Sequence, residues 1–150
     1  FKRKKVCPPL TGAMAFWANG IDAQYTTSRS GNYSYTTGPG TNVTSTRIGN
    51  YVYSNGTVGG NRYSTTTSRV GNYGYTSGSI GSSRISGSSN RVGSYTYGSG
   101  SIGSSNYNTT TTPIGNYGYT SGRVGSTRFN ATSQRIGPYV YTSVRPRIRR

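Results

Sequence analysis

A seven-residue motif returns six times in this chain, and its spacing constrains the fold more than any other feature. The copies begin at Arg29, Arg47, Arg69, Arg91, Pro113 and Arg135, and position by position the commonest residues are Arg, then Ile or Val, then Gly-Asn-Tyr, one variable residue, and Tyr. The first interval is 18 residues and the next four are 22. A regular period of this length is the signature of repeat architecture. A second motif, an aliphatic residue followed by Gly, falls between the copies at Val58, Ile80, Ile102 and Val124, again 22 apart. The unit therefore divides into two related halves of about 11 residues.

Aligned copies produce columns. Ile48, Val70, Val92, Ile114 and Ile136 form one; Val58, Ile80, Ile102 and Val124 form a second. Both are expected to supply the repeat core. Tyr63, Ile85, Tyr107 and Phe129 form a third column, and Gly56, Gly78, Gly100 and Gly122 are expected to mark a turn. Tyr, Val, Ile and Thr suit strands, and Gly is poor in helices. Read as one strand, the copy at Arg69 places Arg69, Tyr73 and Tyr75 on one face, and Val70 and Asn72 on the other. The Gly after each aliphatic residue is expected at a bulge or a close backbone approach. Thr76 to Ser79 and Ser86 to Asn90 read as turns.

Two all-β architectures fit. In a β-solenoid each 22-mer is one coil, and equivalent residues stack about 4.8 Å apart. In an antiparallel hairpin meander or a multichain fibre shaft, each 22-mer is a hairpin and equivalent residues lie about twice as far apart. Identity within the columns favours the solenoid. The arginines pull the other way. At about 5 Å two positive charges repel by about 0.8 kcal/mol in water and about 3 kcal/mol at an effective dielectric of 20. At about 10 Å the repulsion halves and screening trims it further. Tyrosines on the same face would offset some of it by cation–π contact, about 0.5–1 kcal/mol at exposed sites.

The charge balance narrows function. The chain has 17 basic residues and one acid, Asp22, for a formal net charge of +16. Such a chain calls for an anionic neighbour. The basic residues group as an N-terminal cluster (Lys2, Arg3, Lys4, Lys5), a C-terminal cluster (Arg145, Arg147, Arg149, Arg150) and nine repeat arginines. With Arg47, Arg69, Arg91 and Arg135, these clusters are the candidate polyanion or partner contacts. Terminal basic arms suit phosphate backbones, and Arg-Tyr faces suit stacked single strands.

Catalysis is not expected. Histidine is absent, so Ser-His-Asp and Cys-His arrangements cannot form. One acid gives no carboxylate pair. The lone Cys7 has no intrachain partner, and with Asp22 it makes no metal site. No cofactor and no small-molecule substrate is expected. No apolar run approaches the roughly 20 residues of a membrane-spanning helix. The basic start is not followed by a hydrophobic run, so a secretory signal is not expected either. Sequons at Asn32, Asn42, Asn55, Asn108 and Asn130 are numerous, as chance produces in a chain rich in Asn, Ser and Thr.

Three segments follow: residues 1–24 as a basic arm and capping or docking segment carrying Phe16 and Trp17, residues 25–144 as the six-copy repeat domain, and 145–150 as a basic tail. The Gly-, Ser-, Thr- and Tyr-rich repeats at 47–141 resemble those of β-repeat fibre, spike and decoration proteins of viruses and phages. The resemblance implies a non-catalytic subunit of a virion; extracellular filament proteins share the same look. The expected role is thus structural, in a virion or extracellular assembly, with partners among other copies, other structural proteins, nucleic acid, or an acidic protein or glycan. The alternative is a nucleic-acid or polyanion binder. An ice- or glycan-binding solenoid ranks third, because no regular Thr ladder runs through the copies.

Overall fold

The Gly of every motif copy sits in a two-residue turn. Gly31, Gly49, Gly71, Gly93, Gly115 and Gly137 all have φ between 58° and 60°, a region that L side chains avoid. A two-residue turn reverses the chain, so the residues on either side must pair antiparallel. Each motif copy is therefore a hairpin tip and not one strand.

The computed structural model describes residues 23–147. They form twelve strands: β1 (Ala23–Ser30), β2 (Tyr33–Gly38), β3 (Thr41–Ile48), β4 (Tyr51–Val58), β5 (Asn61–Val70), β6 (Tyr73–Ile80), β7 (Ser83–Val92), β8 (Tyr95–Ile102), β9 (Ser105–Ile114), β10 (Tyr117–Val124), β11 (Thr127–Ile136) and β12 (Tyr139–Arg147). Consecutive strands pair antiparallel, and β1 pairs β12, which closes a barrel. The favoured solenoid is thus corrected to the hairpin meander, closed on itself. Solenoid coils stack in parallel, and two-residue turns leave no chain for the return path.

The repeat length sets the closure. Arg69 pairs Gly74, and Gly74 pairs Ser89, two residues short of the equivalent Arg91. Each repeat therefore advances the motif by two residues along the ladder. Carried round six hairpins, the register returns to β1 offset by about twelve residues. For twelve strands that offset implies a tilt of roughly 37° and a backbone radius of about 10–11 Å. Because the step per repeat matches the tilt, the six tips lie level with one another across the barrel axis.

The core fills one end of the lumen. Val58, Ile80, Ile102 and Val124 are buried, as are Tyr63, Ile85, Tyr107 and Phe129 of the third column. Tyr25, Val43, Ala131 and Val144 complete the cluster. Each large member of the third column faces a glycine across the ladder: Gly56 pairs Tyr63, Gly78 pairs Ile85, Gly100 pairs Tyr107 and Gly122 pairs Phe129. Small beside large lets bulky side chains fit a strongly curved wall. Gly56, Gly78, Gly100 and Gly122 are therefore mid-strand close approaches, not turns. The spans 76–79 and 86–90, read above as turns, lie inside β6 and β7.

The first aliphatic column is also corrected. Ile48, Val70, Val92, Ile114 and Ile136 are 54–67% exposed on the outer wall. The turn resets the alternation: Val70 pairs Tyr73, so Val70, Tyr73 and Tyr75 share the outer face while Arg69 points inward. Arg145 and Arg147 belong to β12 and not to a tail.

Candidate functional site

The two ends of the barrel differ because the two half-repeats differ. At one end, here called the tyrosine end, lie the six motif tips. At the other lie the intervening turns, together with Ala23 and Arg147, where the described chain begins and ends.

Between the apolar plug and the tyrosine end the lumen is lined by hydroxyls. They bond across hairpins in pairs: Thr27 with Thr36 at 2.8 Å, Ser45 with Ser54 at 2.7 Å, Thr67 with Thr76 at 2.8 Å, Thr111 with Thr120 at 2.9 Å and Ser133 with Thr142 at 3.0 Å. These pairs satisfy polar groups facing a lumen only partly open to water. In the β7–β8 hairpin the corresponding pair is Ser89 and Gly98, so the ladder is interrupted. On the outer wall of the same strands a groove of about 350 Å³ is bordered by Tyr73, Asn90, Tyr97 and Asn108.

At the mouth of the tyrosine end, Arg29, Arg47, Arg69, Arg91 and Arg135 all sit at inward-facing positions on odd strands. Pro113 takes the sixth position. Alternate strands place neighbouring members about 10 Å apart, the spacing expected for the hairpin alternative. Their backbones tie the tips together. Arg47 N–H donates to the Asn32 carbonyl at 2.9 Å, Arg69 to Asn50 at 2.9 Å, Arg91 to Asn72 at 3.0 Å and Arg135 to Asn116 at 2.9 Å. The Arg47 and Arg91 Nε atoms donate to the carbonyls of Gly49 and Gly93 in their own turns, at 3.3 and 3.2 Å. The predicted arginine column is thus a ring.

Outside that ring runs a collar. Twelve of the 15 tyrosines form six pairs on the even strands, each 39–51% exposed. Four pairs have ring centroids 6.2–6.3 Å apart. Ile48, Val70, Val92, Ile114 and Ile136 pair with the first tyrosine of the adjoining strand and extend the collar at five of the six tips, with Ser30 beside Tyr33 at the sixth. Sequence reasoning missed this surface. A single alternation run through the Gly-Asn turn assigned the aliphatic residues to the wrong face.

At the opposite end, Arg123 pairs Arg128, and Arg128 pairs Arg147. All three are exposed, with Arg145 nearby on β12. Like charges directly opposed on neighbouring strands are destabilising. Residues 23–147 contain no Asp or Glu to offset them. The row is therefore a ready contact for an anion. Lys2, Arg3, Lys4, Lys5, Phe16, Trp17, Arg149 and Arg150 lie outside the described residues. All five sequon asparagines are exposed.

Burial raises the Tyr107 phenol above its ordinary pKa. Above pH 10 the unfolded chain loses this proton more readily than the folded one, so stability falls as pH rises from that point. Denaturant titrations of Tyr107→Phe are expected to show a shallower alkaline loss than the parent.

Comparison with protein-family models, curated proteins and solved structures finds no match for this chain.

Proposed function

We propose that the chain is a non-enzymatic structural subunit of a virion or extracellular assembly, presenting its tyrosine end as the contact surface. The observation that carries this reading is the collar itself. Exposed aromatic and aliphatic side chains gathered at one end of a soluble protein mark an interaction site. The closed barrel supports the reading: every strand is paired on both edges, which removes the open edges that invite disordered aggregation. Electron microscopy and composition analysis of native particles or filaments test it. The expected result is the barrel present at fixed stoichiometry. A protein that purifies as a monomer and never enters such material overturns the reading.

The second reading, a polyanion binder, is favoured by the Arg123–Arg128–Arg147 row. Affinity for a DNA duplex should fall steeply with salt, the slope changing by about 0.9 for each phosphate no longer neutralised. The triple variant Arg123→Ser/Arg128→Ser/Arg147→Ser is expected to flatten that slope by about 2–3. An unchanged slope removes the row from the binding surface.

A further inference from the structure

We infer that the tyrosine end docks onto a lipid bilayer rich in anionic lipid, with the collar in the interfacial layer and the arginine ring against phosphate groups. The inference rests on the collar being the contact surface, and it names that surface's partner.

The collar has the chemistry of an interface. Tyrosine presents an apolar body and a polar tip, and settles where hydrocarbon meets headgroup. The aliphatic side chains of Ile48, Val70, Val92, Ile114 and Ile136 stand at the last strand position before each turn, at the edge of the tips, and are 54–67% exposed. The tips lie level with one another, so all can meet a flat surface at once.

The depth of the collar decides between docking and spanning. From the Gly-Asn turn to the second tyrosine is three residues, about 8 Å along the axis after allowing for strand tilt. Interfacial elements bury about 5–10 Å. A spanning barrel carries an outward apolar band of about 25 Å. Beyond the collar the outer wall is hydroxyl and amide, as at Ser64, Thr66, Ser86, Ser99, Asn108 and Asn130, and toward the far end it carries arginines such as Arg62, Arg84 and Arg123. The collar thus matches insertion into one leaflet's surface.

Charge selects the partner. Phosphate headgroups complement the five inward arginines, and acyl chains complement the aliphatic tips. A second copy meeting tip to tip would oppose two arginine rings, with no acid among the described residues to relieve them. Nucleic acid supplies phosphate but leaves the aliphatic tips in water, and the tyrosines of three pairs already stack on each other.

Vesicle flotation of the full chain tests the inference, with phosphatidylcholine alone and with roughly a quarter phosphatidylglycerol. The protein is expected to float with the anionic vesicles at least about tenfold more strongly than with the neutral ones, and to be partly released by high salt. The collar variant Val70→Ser/Val92→Ser/Ile114→Ser should fold with an unchanged melting temperature and lose at least about tenfold in partitioning. Arg123→Ser/Arg128→Ser, which removes anion contacts at the far end only, should lose much less partitioning than the collar variant. A tryptophan introduced by Tyr95→Trp should be quenched by brominated acyl chains. The inference is overturned if the folded parent does not float, or if the collar variant floats unchanged. It is also overturned if the far-end variant alone loses binding. Failure to float while the collar variant is still excluded from native particles overturns the lipid partner and leaves the assembly reading standing.

Discussion

Replacing Gly100 by valine is expected to cost at least about 3 kcal/mol and to leave the barrel unable to close at moderate denaturant. Overpacking a core usually costs about 1–3 kcal/mol, because flexible side chains give way. At Gly100 the obstacle is backbone. A Cβ there would run into the Ser86 carbonyl oxygen and the Gly87 Cα on β7, with the Tyr107 ring pressing from β9 at 2.9 Å. Moving β7 aside breaks the ladder that closes the barrel. Small domains hold only about 5–15 kcal/mol in total, so one such clash removes a large share. Gly118→Val is the matched control. Gly118 also points inward from an even strand, but the nearest atom to its Cβ would be Ser133 Cβ at 3.8 Å. Valine suits a strand better than glycine, so that variant should match the parent or exceed it slightly. Urea midpoints of the two variants provide the measurement.

The contrast between these glycines shows what was legible in the sequence. The all-β class, the period and the division into halves were readable, because strand propensity and repeat spacing are local. The arginine spacing pointed correctly to hairpins: stacked at about 5 Å, a column without acids repels itself too strongly. Column identity pulled the other way, yet it does not discriminate. Identity at a fixed period follows equally from a barrel, where each repeat must step by the same two residues to close. The face assignment failed at one point. Gly71 and Asn72 are the turn itself, so alternation counted through them inverts everything beyond. Gly-Asn reads less plainly as a hairpin turn than Asn-Gly does, although Gly in the first position is what the positive φ of Gly71 requires. The same inversion hid the collar and placed five exposed aliphatic residues in the core.

Ile102→Ala and Ile114→Ala separate the two aliphatic columns by experiment. Both residues are isoleucines ending a strand and followed by a turn glycine, Gly103 and Gly115. Local sequence gives them the same role. Ile102 is 1% exposed, packed in the cluster with Ile85 across the ladder. Its truncation removes buried methylenes and leaves a cavity among side chains fixed to a closed wall, at a cost of about 2–5 kcal/mol. Ile114 is 62% exposed, and its truncation should change stability by no more than about 0.5 kcal/mol. Thermal melts at equal protein concentration read the difference directly. The second result bears on function as much as on folding. A column of five aliphatic residues that contributes almost nothing to the isolated barrel is buried, if anywhere, by a partner. Loss of binding at an unchanged melting temperature is therefore the signature to expect of Ile114→Ala, and the reverse pattern is the signature of Ile102→Ala.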